Sequence, residues 1–219
     1  VIKYLGPGFQ LVSFDPKTSI SMIGKEALAS EETMDEVASK AAADLMMLNQ
    51  EACAASRFQF VEGPQDLVDR FCEKFQRHIA DRAAVSGDIR PLDMDLKEQV
   101  ETLMMLDDEF GTWGRPDGKG LVIRSEEPVD FHPINKIGNV VRVDRLDDAV
   151  KYVNVATQTI GFYPSERMAD YRDALGAGGA QRVCPLGEAG PSTHGNPWDG
   201  MYPLHRFVHW MVNEDGVEA

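Results

Sequence analysis

Positive charge is in short supply. Lys and Arg number 22 against 36 Asp and Glu, a formal net charge of −14 at pH 7. Such a surface repels phosphate backbones and anionic lipid, which excludes nucleic acid and membrane surfaces as main partners. A locally positive mouth is still compatible with it, because net charge is a global quantity. Long apolar runs are missing too: no stretch reaches the roughly 20 residues that a bilayer-spanning helix requires, and no signal peptide is recognisable. Cysteine is scarce. Three residues cannot all pair, and the scatter of Cys53, Cys72 and Cys184 fits no zinc pattern. Unpaired thiols suit a reducing cytoplasm. Without bridges or a structural metal, 219 residues at 43% hydrophobic and 26% charged fold on a hydrophobic core. That length suffices for one well-buried domain or two small ones.

What is present reads as strands alternating with helices. Phe9–Phe14 alternates weakly and is expected as a strand, Asp15-Pro16-Lys17-Thr18 as a turn, and Ile20–Ile23 as a second strand closed by Gly24. Thr33 and Glu36 have capping-box spacing, followed by Val37, Ala41, Leu45 and Leu48 at helical intervals. Met46 and Met47 are expected as core filler. A strand at Phe58–Glu62 leads through Gly63 and Pro64 into a helix whose buried stripe is Leu67, Val68, Phe71, Cys72, Phe75 and Ile79. Nothing near His78 marks a partner, so it reads as a surface or satisfied core histidine. A third helix is expected around Leu96 to Met104, loop over Gly111–Gly118, and strands at Gly120–Arg124, Asn139–Val143, Thr159–Tyr163 and Arg182–Leu186. Helices are expected at Leu146–Asn154 and Glu166–Leu175. The glycines from Gly176 to Gly179 follow a helix, so they read as a C-cap turn and not as a dinucleotide loop. The acidic run Asp107–Glu109 reads as a solvated helix end. The tail opens with a Gly/Pro loop over Gly187–Pro197. It ends in a short helix, on which His205 and His209 have a metal-compatible spacing but no third ligand. The pattern is α/β with a mostly parallel sheet.

The stretch that stands out is Asn49-Gln50-Glu51-Ala52-Cys53-Ala54-Ala55-Ser56-Arg57. It places a cysteine on a turn between a helix and a strand, exposed on one side and rigidly held on the other. A nucleophilic thiol needs that: reach for substrate, little freedom to lose, and a thiolate-favouring surrounding or a base. A buried, inert cysteine at a helix end is the competing reading.

Asn49–Cys53, Ser13-Phe14-Asp15-Pro16-Lys17-Thr18-Ser19-Ile20-Ser21 and Asp199-Gly200-Met201-Tyr202-Pro203-Leu204 together resemble the acyl-CoA reductase (LuxC-like fatty-acid reductase) branch of the aldehyde dehydrogenase superfamily. The resemblance covers most of the chain, least of all Ser86 to Pro128. It implies an aldehyde dehydrogenase-like catalytic (thiol) domain over residues 1–219. Since Val1-Ile2-Lys3-Tyr4 does not read as a start, most of an N-terminal nucleotide-binding domain is expected to be missing. It further implies reduction of a fatty acyl-CoA or acyl thioester to an aldehyde by NADPH (or NADH) bound mainly by that absent domain. Cys53 is the implied nucleophile. Asn49, Gln50 and Arg57 are expected to orient its turn, and the Cys53 N–H to supply one of two oxyanion donors. No cofactor-binding or metal-ligating residue is assigned in this chain. A homo-oligomer and an acyl-transferring partner enzyme are the implied partners. Aligning Lys17 with the superfamily's Glu-Leu-Gly-Gly-Lys segment puts Ser13 where the hydrolytic glutamate stands. An enzyme that keeps its thioester from water has reason to lack that base. At the superfamily's Glu-Ile-Phe-Gly-Pro segment this chain has His132-Pro133-Ile134, so that cofactor contact is not carried over. The alternatives are an oxidising aldehyde dehydrogenase and a catalytically dead oligomerisation or regulatory domain.

Overall fold

The structure, a computed structural model, describes residues 2–190 and 193–214. Among these, seven strands form one sheet: β1 (Thr18–Ile23), β2 (Ser56–Glu62), β3 (Gly111–Gly114), β4 (Leu121–Ser125), β5 (Ile137–Val143), β6 (Thr157–Tyr163) and β7 (Arg182–Pro185). Their order is β3-β4-β5-β2-β1-β6-β7, and all neighbours are parallel except β3 against β4. The mostly parallel α/β sheet expected from the alternation is therefore what forms.

Both faces of the central strands are covered, so even Ser21, Gln59 and Asn139, which interrupt the apolar runs, are buried. On one face lie α1 (Glu31–Leu45) and α2 (Gln65–Ser86), which pack Val37, Ala41, Leu45, Phe71, Phe75 and Ile79 against Ile23, Val61 and Val140. On the other, α4 (Asp147–Val150) and α5 (Met168–Gly178) pack against Ile20, Met22, Phe60, Ile160 and Phe162. A smaller core forms where α3 (Met94–Met104) brings Leu96 and Val100 to Leu121 and Ile123. Residues 126–136 connect parallel β4 and β5 without a helix, tied to the sheet by the Val129 N–H donating to Asn139 Oδ1 at 3.0 Å.

Several expectations are corrected. Phe9–Phe14 is not a strand. No partner strand reaches it, and Phe9, Leu11 and Phe14 are exposed. The cap of α1 is Ser30, whose Oγ accepts the Thr33 N–H at 3.1 Å, so the helix starts three residues before the capping box would place it. Leu48 does not complete the buried stripe of α1. It is 76% exposed with φ +46°. Gly111–Gly114 is a strand, because antiparallel pairing with β4 supplies the hydrogen bonds that the local sequence does not announce. The tail helix is a single 3-10 turn, Pro203–Arg206, and Phe207, Val208 and Met211 beyond it are exposed. The loop expected over 187–197 includes Pro191 and Ser192, and the domain assigned to 1–219 includes Val1 and 215–219, all outside the described residues.

Parallel strands bring their amino-terminal ends to one edge. Ser19 pairs with Ser56, Phe58 with Asn139, and Thr18 with Thr157. Lys17, the Cys53 turn, the 131–136 loop and Ala156 thus become neighbours at that edge.

Candidate active site

The turn before β2 is built against the chain's own preference. Leu48, Asn49 and Gln50 have φ of +46°, +58° and +64°, three consecutive non-glycine residues in left-handed conformation. Each costs roughly 1–2 kcal/mol. Side-chain bonds hold the turn in place. Gln50 is 1% exposed. Its Nε2 donates to Ile137 O and its Oε1 accepts the Lys136 N–H, both at 2.7 Å, so one amide pairs with the start of β5 as a neighbouring strand would. Asn49 Nδ2 donates to the Asp88 carboxylate. Arg57, 5% exposed, donates from one terminal nitrogen to Gln50 O and from the other to Pro133 O, each at 2.6 Å. Bonds of about 1 kcal/mol each, and about 1.5–3 for a charged donor, are together of the same order as the strain.

Cys53 is half-buried on this turn. Its carbonyl accepts the Ser19 hydroxyl at 2.7 Å, and Ser19 Oγ in turn accepts the Thr159 N–H at 3.0 Å. Ser19 stands where the register of β1 slips against both β2 and β6. Such irregularities splay a strand end and re-aim its groups. The network continues from Thr159 Oγ1 to Gln158 Oε1 at 3.0 Å, and from Gln158 Nε2 to Asp199 Oδ1 at 3.2 Å. Asp199 and Gly200 have φ of +48° and +72° and form a two-residue hairpin closed by reciprocal Trp198–Met201 bonds of 2.8 and 3.0 Å. Asp-Gly suits that turn, which needs positive φ at both central positions. The family-like tail segment is thereby tied to the same edge as Cys53, with Met201 half-buried and Tyr202 exposed.

The electrostatics are unbalanced here. No carboxylate pairs with Arg57 among the described residues, and its Nε has no hydrogen-bond partner. Burial pulls its guanidinium below the ordinary arginine range, and the Cys53 sulfur acts in the opposite sense. His132 is also held below the usual histidine range, first by burial and then by the Arg57 cation. Arg57 therefore links three segments: its own strand, the Cys53 turn and the His132-Pro133 loop. Lys136, 1% exposed, donates from Nζ to Asp88 O at 2.6 Å, and burial lowers its pKa against the Asp88 charge. Beside the turn opens a cavity of about 430 Å3 lined by Asn49, Gln50, Arg57, Arg90, Lys136 and Leu92. Another of about 830 Å3 lies between α1 and α2, with Met46, Leu48, His78 and Arg82 on its walls.

Other singled-out residues fall elsewhere. Ser13 and Asp15 are exposed and bonded to each other at 2.8 Å. His78 does have a partner, Asp35 Oδ1 at 3.2 Å. Cys72 and Cys184 are buried as expected, and burial raises the Cys72 thiol well above its usual range and that of Cys184 to about 11. His205 and His209 do not share a helix. Residues that the sequence reading missed are Ser19, Thr159, Lys136 and Asp88. The local signal was weak: Ser19 is one of three hydroxyl residues, with Thr18 and Ser21, in β1.

The residues present do not fit a dinucleotide. Gly179, at φ +108°, caps α5. At the carboxyl ends of β1 and β6, where doubly wound sheets hold such ligands, a cavity of about 680 Å3 presents Glu62, Asp144, Asp147 and Asp170, carboxylates that repel a pyrophosphate, and Arg167 is held in ion pairs. It bonds Glu62 at 2.7 Å and Glu26 at 3.1 Å, and a Cβ on Gly24 would fall 2.7 Å from its Nη1.

Comparison with known proteins agrees with the geometry. Residues 2–210 match the family model described as acyl-CoA reductase (LuxC). The chain belongs to this family. Relatives called long-chain acyl-protein thioester reductase from Vibrio harveyi and Photorhabdus luminescens are each 26% identical over 220 residues, covering 97% of this chain and 44% of the relative. The chain thus spans under half the length of these curated relatives. Among solved structures, a salicylaldehyde dehydrogenase from Pseudomonas putida G7 matches with TM-score 0.58 at 14% identity, over 85% of this chain and 42% of that one. A gamma-glutamyl-gamma-aminobutyraldehyde dehydrogenase from Burkholderia cenocepacia J2315 matches with TM-score 0.57 at 16% identity, over 84% and 40%. The fold is that of the aldehyde dehydrogenases. No helix among the described residues is long and apolar enough to cross a membrane.

Proposed function

We propose that this chain is the thiol-bearing catalytic domain of a fatty acyl-CoA (acyl thioester) reductase, with the nucleotide-binding domain elsewhere in a longer protein. The Cys53 thiolate attacks the acyl carbonyl. A new C–S bond forms, the bond to the CoA sulfur breaks, and CoA leaves as a thiolate that takes a proton from solvent. The observation that carries this reading is the Cys53 turn itself. A half-buried sulfur stands on a strained backbone fixed by Gln50, Arg57 and Ser19, beside a buried cation with no carboxylate partner among the described residues. Rigid presentation removes the entropy that a mobile nucleophile would lose at the transition state. Asn49, Gln50 and Arg57 orient the turn, and the Cys53 N–H is an oxyanion donor. Ser13 at the place of a hydrolytic glutamate supports reduction over oxidation, since a serine hydroxyl is no general base for water. The reductant, NADPH or NADH, binds mainly outside this chain, consistent with the carboxylates that line the carboxyl-end cavity. The relatives' name suggests a protein-bound acyl donor, hence an acyl-transferring partner, and we include a homo-oligomeric cytoplasmic enzyme in the proposal.

The test is intact mass of the full-length protein after incubation with tetradecanoyl-CoA. One acyl adduct, released by hydroxylamine and absent in Cys53→Ala, is expected. An adduct that persists in Cys53→Ala would sink the reading.

A further inference from the structure

Of five cavities formed by the described residues, one is lined without any charged side chain. It has a volume of about 260 Å3 and lies on the sheet face opposite α1 and α2. Its walls are Ile20, Phe58, Phe60, Pro128 and Tyr152. The register explains their convergence: Ile20 lies beside Phe58, and Phe60 follows two residues on, so all three project from one face of β1 and β2. At one end Phe60 and Tyr152 stack with centroids 5.0 Å apart and an interplanar angle of 21°, and the Tyr152 hydroxyl is bonded to Glu127. At the other end are Thr18, Ala156 and Thr157, at the amino edge of the sheet. Thr18 precedes Ser19, whose hydroxyl holds the Cys53 carbonyl at 2.7 Å. Cys53 is not on the wall itself, but this end of the cavity and the Cys53 turn lie at the same amino edge of the sheet.

Asn154, Thr157 and Tyr152, three of the polar side chains on its wall, are already engaged. Asn154 Oδ1 accepts the Ala156 N–H at 2.8 Å, its Nδ2 donates to Tyr152 O at 3.3 Å, and Thr157 Oγ1 accepts the Asn154 N–H at 3.0 Å. A ligand there meets hydrocarbon and satisfied amides. The other four cavities each present carboxylates and cations, which favour a charged or hydrated occupant. At 260 Å3 the space is below the roughly 300–1,000 Å3 of ordinary small-molecule sites, which suits a slender unbranched chain better than a ring system or a nucleotide.

We propose that this cavity binds the alkyl chain of the acyl group carried to Cys53, with the Phe60–Tyr152 stack closing its far end. The inference rests on acyl transfer to Cys53 and adds where the chain lies and what limits its length. Each methylene taken from water contributes roughly fourfold to affinity. Wild type should consequently take tetradecanoyl from CoA much faster than butanoyl at equal low concentration.

The experiment compares Cys53 acylation rates by intact mass in the full-length protein, with butanoyl-, octanoyl- and tetradecanoyl-CoA. Ala156→Phe narrows the mouth and is expected to lower the tetradecanoyl-to-butanoyl ratio at least tenfold. Phe58→Ala widens the cavity and is expected to admit a methyl-branched chain that wild type rejects. Thermal melts establish that each variant is folded. A ratio unchanged within twofold in a folded Ala156→Phe, or Phe58→Ala with unaltered selectivity, overturns the cavity assignment and leaves transfer to Cys53 standing. No adduct from any acyl-CoA in wild type overturns both.

Discussion

The two edges of the sheet are built on opposite plans. At the carboxyl edge, Glu62 at the end of β2 accepts from Arg167 and from the Lys25 N–H, and Arg167 also reaches Glu26, on the wall of a cavity of about 680 Å3. Charges are matched there. At the amino edge, Arg57 is buried without a carboxylate partner among the described residues, three residues are held left-handed, and register slips flank Ser19. Open α/β sheets usually place ligands at the carboxyl ends of their strands. Here the carboxyl edge carries paired charges around its cavity, and strain and unbalanced charge collect at the other edge. Strain persists only where surroundings over-determine it, and a reactive group is one reason to keep it.

The sharpest way to break the contrast is to remove the clamp on the amino edge. Gln50→Leu deletes two buried bonds and leaves the Lys136 N–H and Ile137 O unpaired. Roughly 2–5 kcal/mol of stability should be lost in urea melts, with slower Cys53 acylation in the molecules that remain folded. A loss under about 1 kcal/mol would mean that the left-handed turn needs no such support.

The opposite edge should respond to pH. Burial disfavours the charged form of Glu62, but the Arg167 bond and the Lys25 N–H outweigh it, so this carboxyl lies below the usual range. A depressed carboxylate contributes stability that is present above its unfolded value, 4.5, and lost as pH falls through the folded one. Glu62→Gln should thus cost about 1–3 kcal/mol at pH 7, and the gap to wild type should close below about pH 4.5. A gap that stays constant down to acid unfolding would remove the ion cluster from the comparison.

The smallest effect should carry an unusual sign. Leu48 is 76% exposed at φ +46°, so Leu48→Gly removes little packing and relieves strain. It should be neutral or stabilising by up to about 1 kcal/mol, against the usual penalty for introducing glycine. Clear destabilisation in the same melts would show that the turn is less strained than its dihedral angles indicate.

Much of the fold was legible because it is local. The stripe Val68, Phe71, Cys72, Phe75, Ile79 on α2 and the apolar runs of β2, β5 and β6 carry their period in the sequence. The misreadings lie where distant partners decide. Gly111–Gly114 is a strand because β4 pairs with it, Phe9–Phe14 is none because nothing does, and Ser30 outcompeted Thr33 as the cap of α1. Cys53 could be singled out from its turn, and Asn49, Gln50 and Arg57 lie in or bond to that turn. Their bonding partners Asp88, Pro133, Lys136 and Ile137 lie 39 to 87 positions along the chain from them, as the pairings show. No spacing rule reaches that far. Ser19 was invisible for the same reason.

Competitive alkylation tests the central claim most directly. The full-length protein is treated with iodoacetamide, with and without prior tetradecanoyl-CoA, and all three cysteines are quantified by peptide mapping. Cys53 should label while buried Cys72 and Cys184 do not, and the acyl thioester should abolish that labelling until hydroxylamine restores it. Labelling of Cys53 that is indifferent to acyl-CoA, or no faster than that of the two buried thiols, would contradict the assignment of Cys53 as the acyl acceptor.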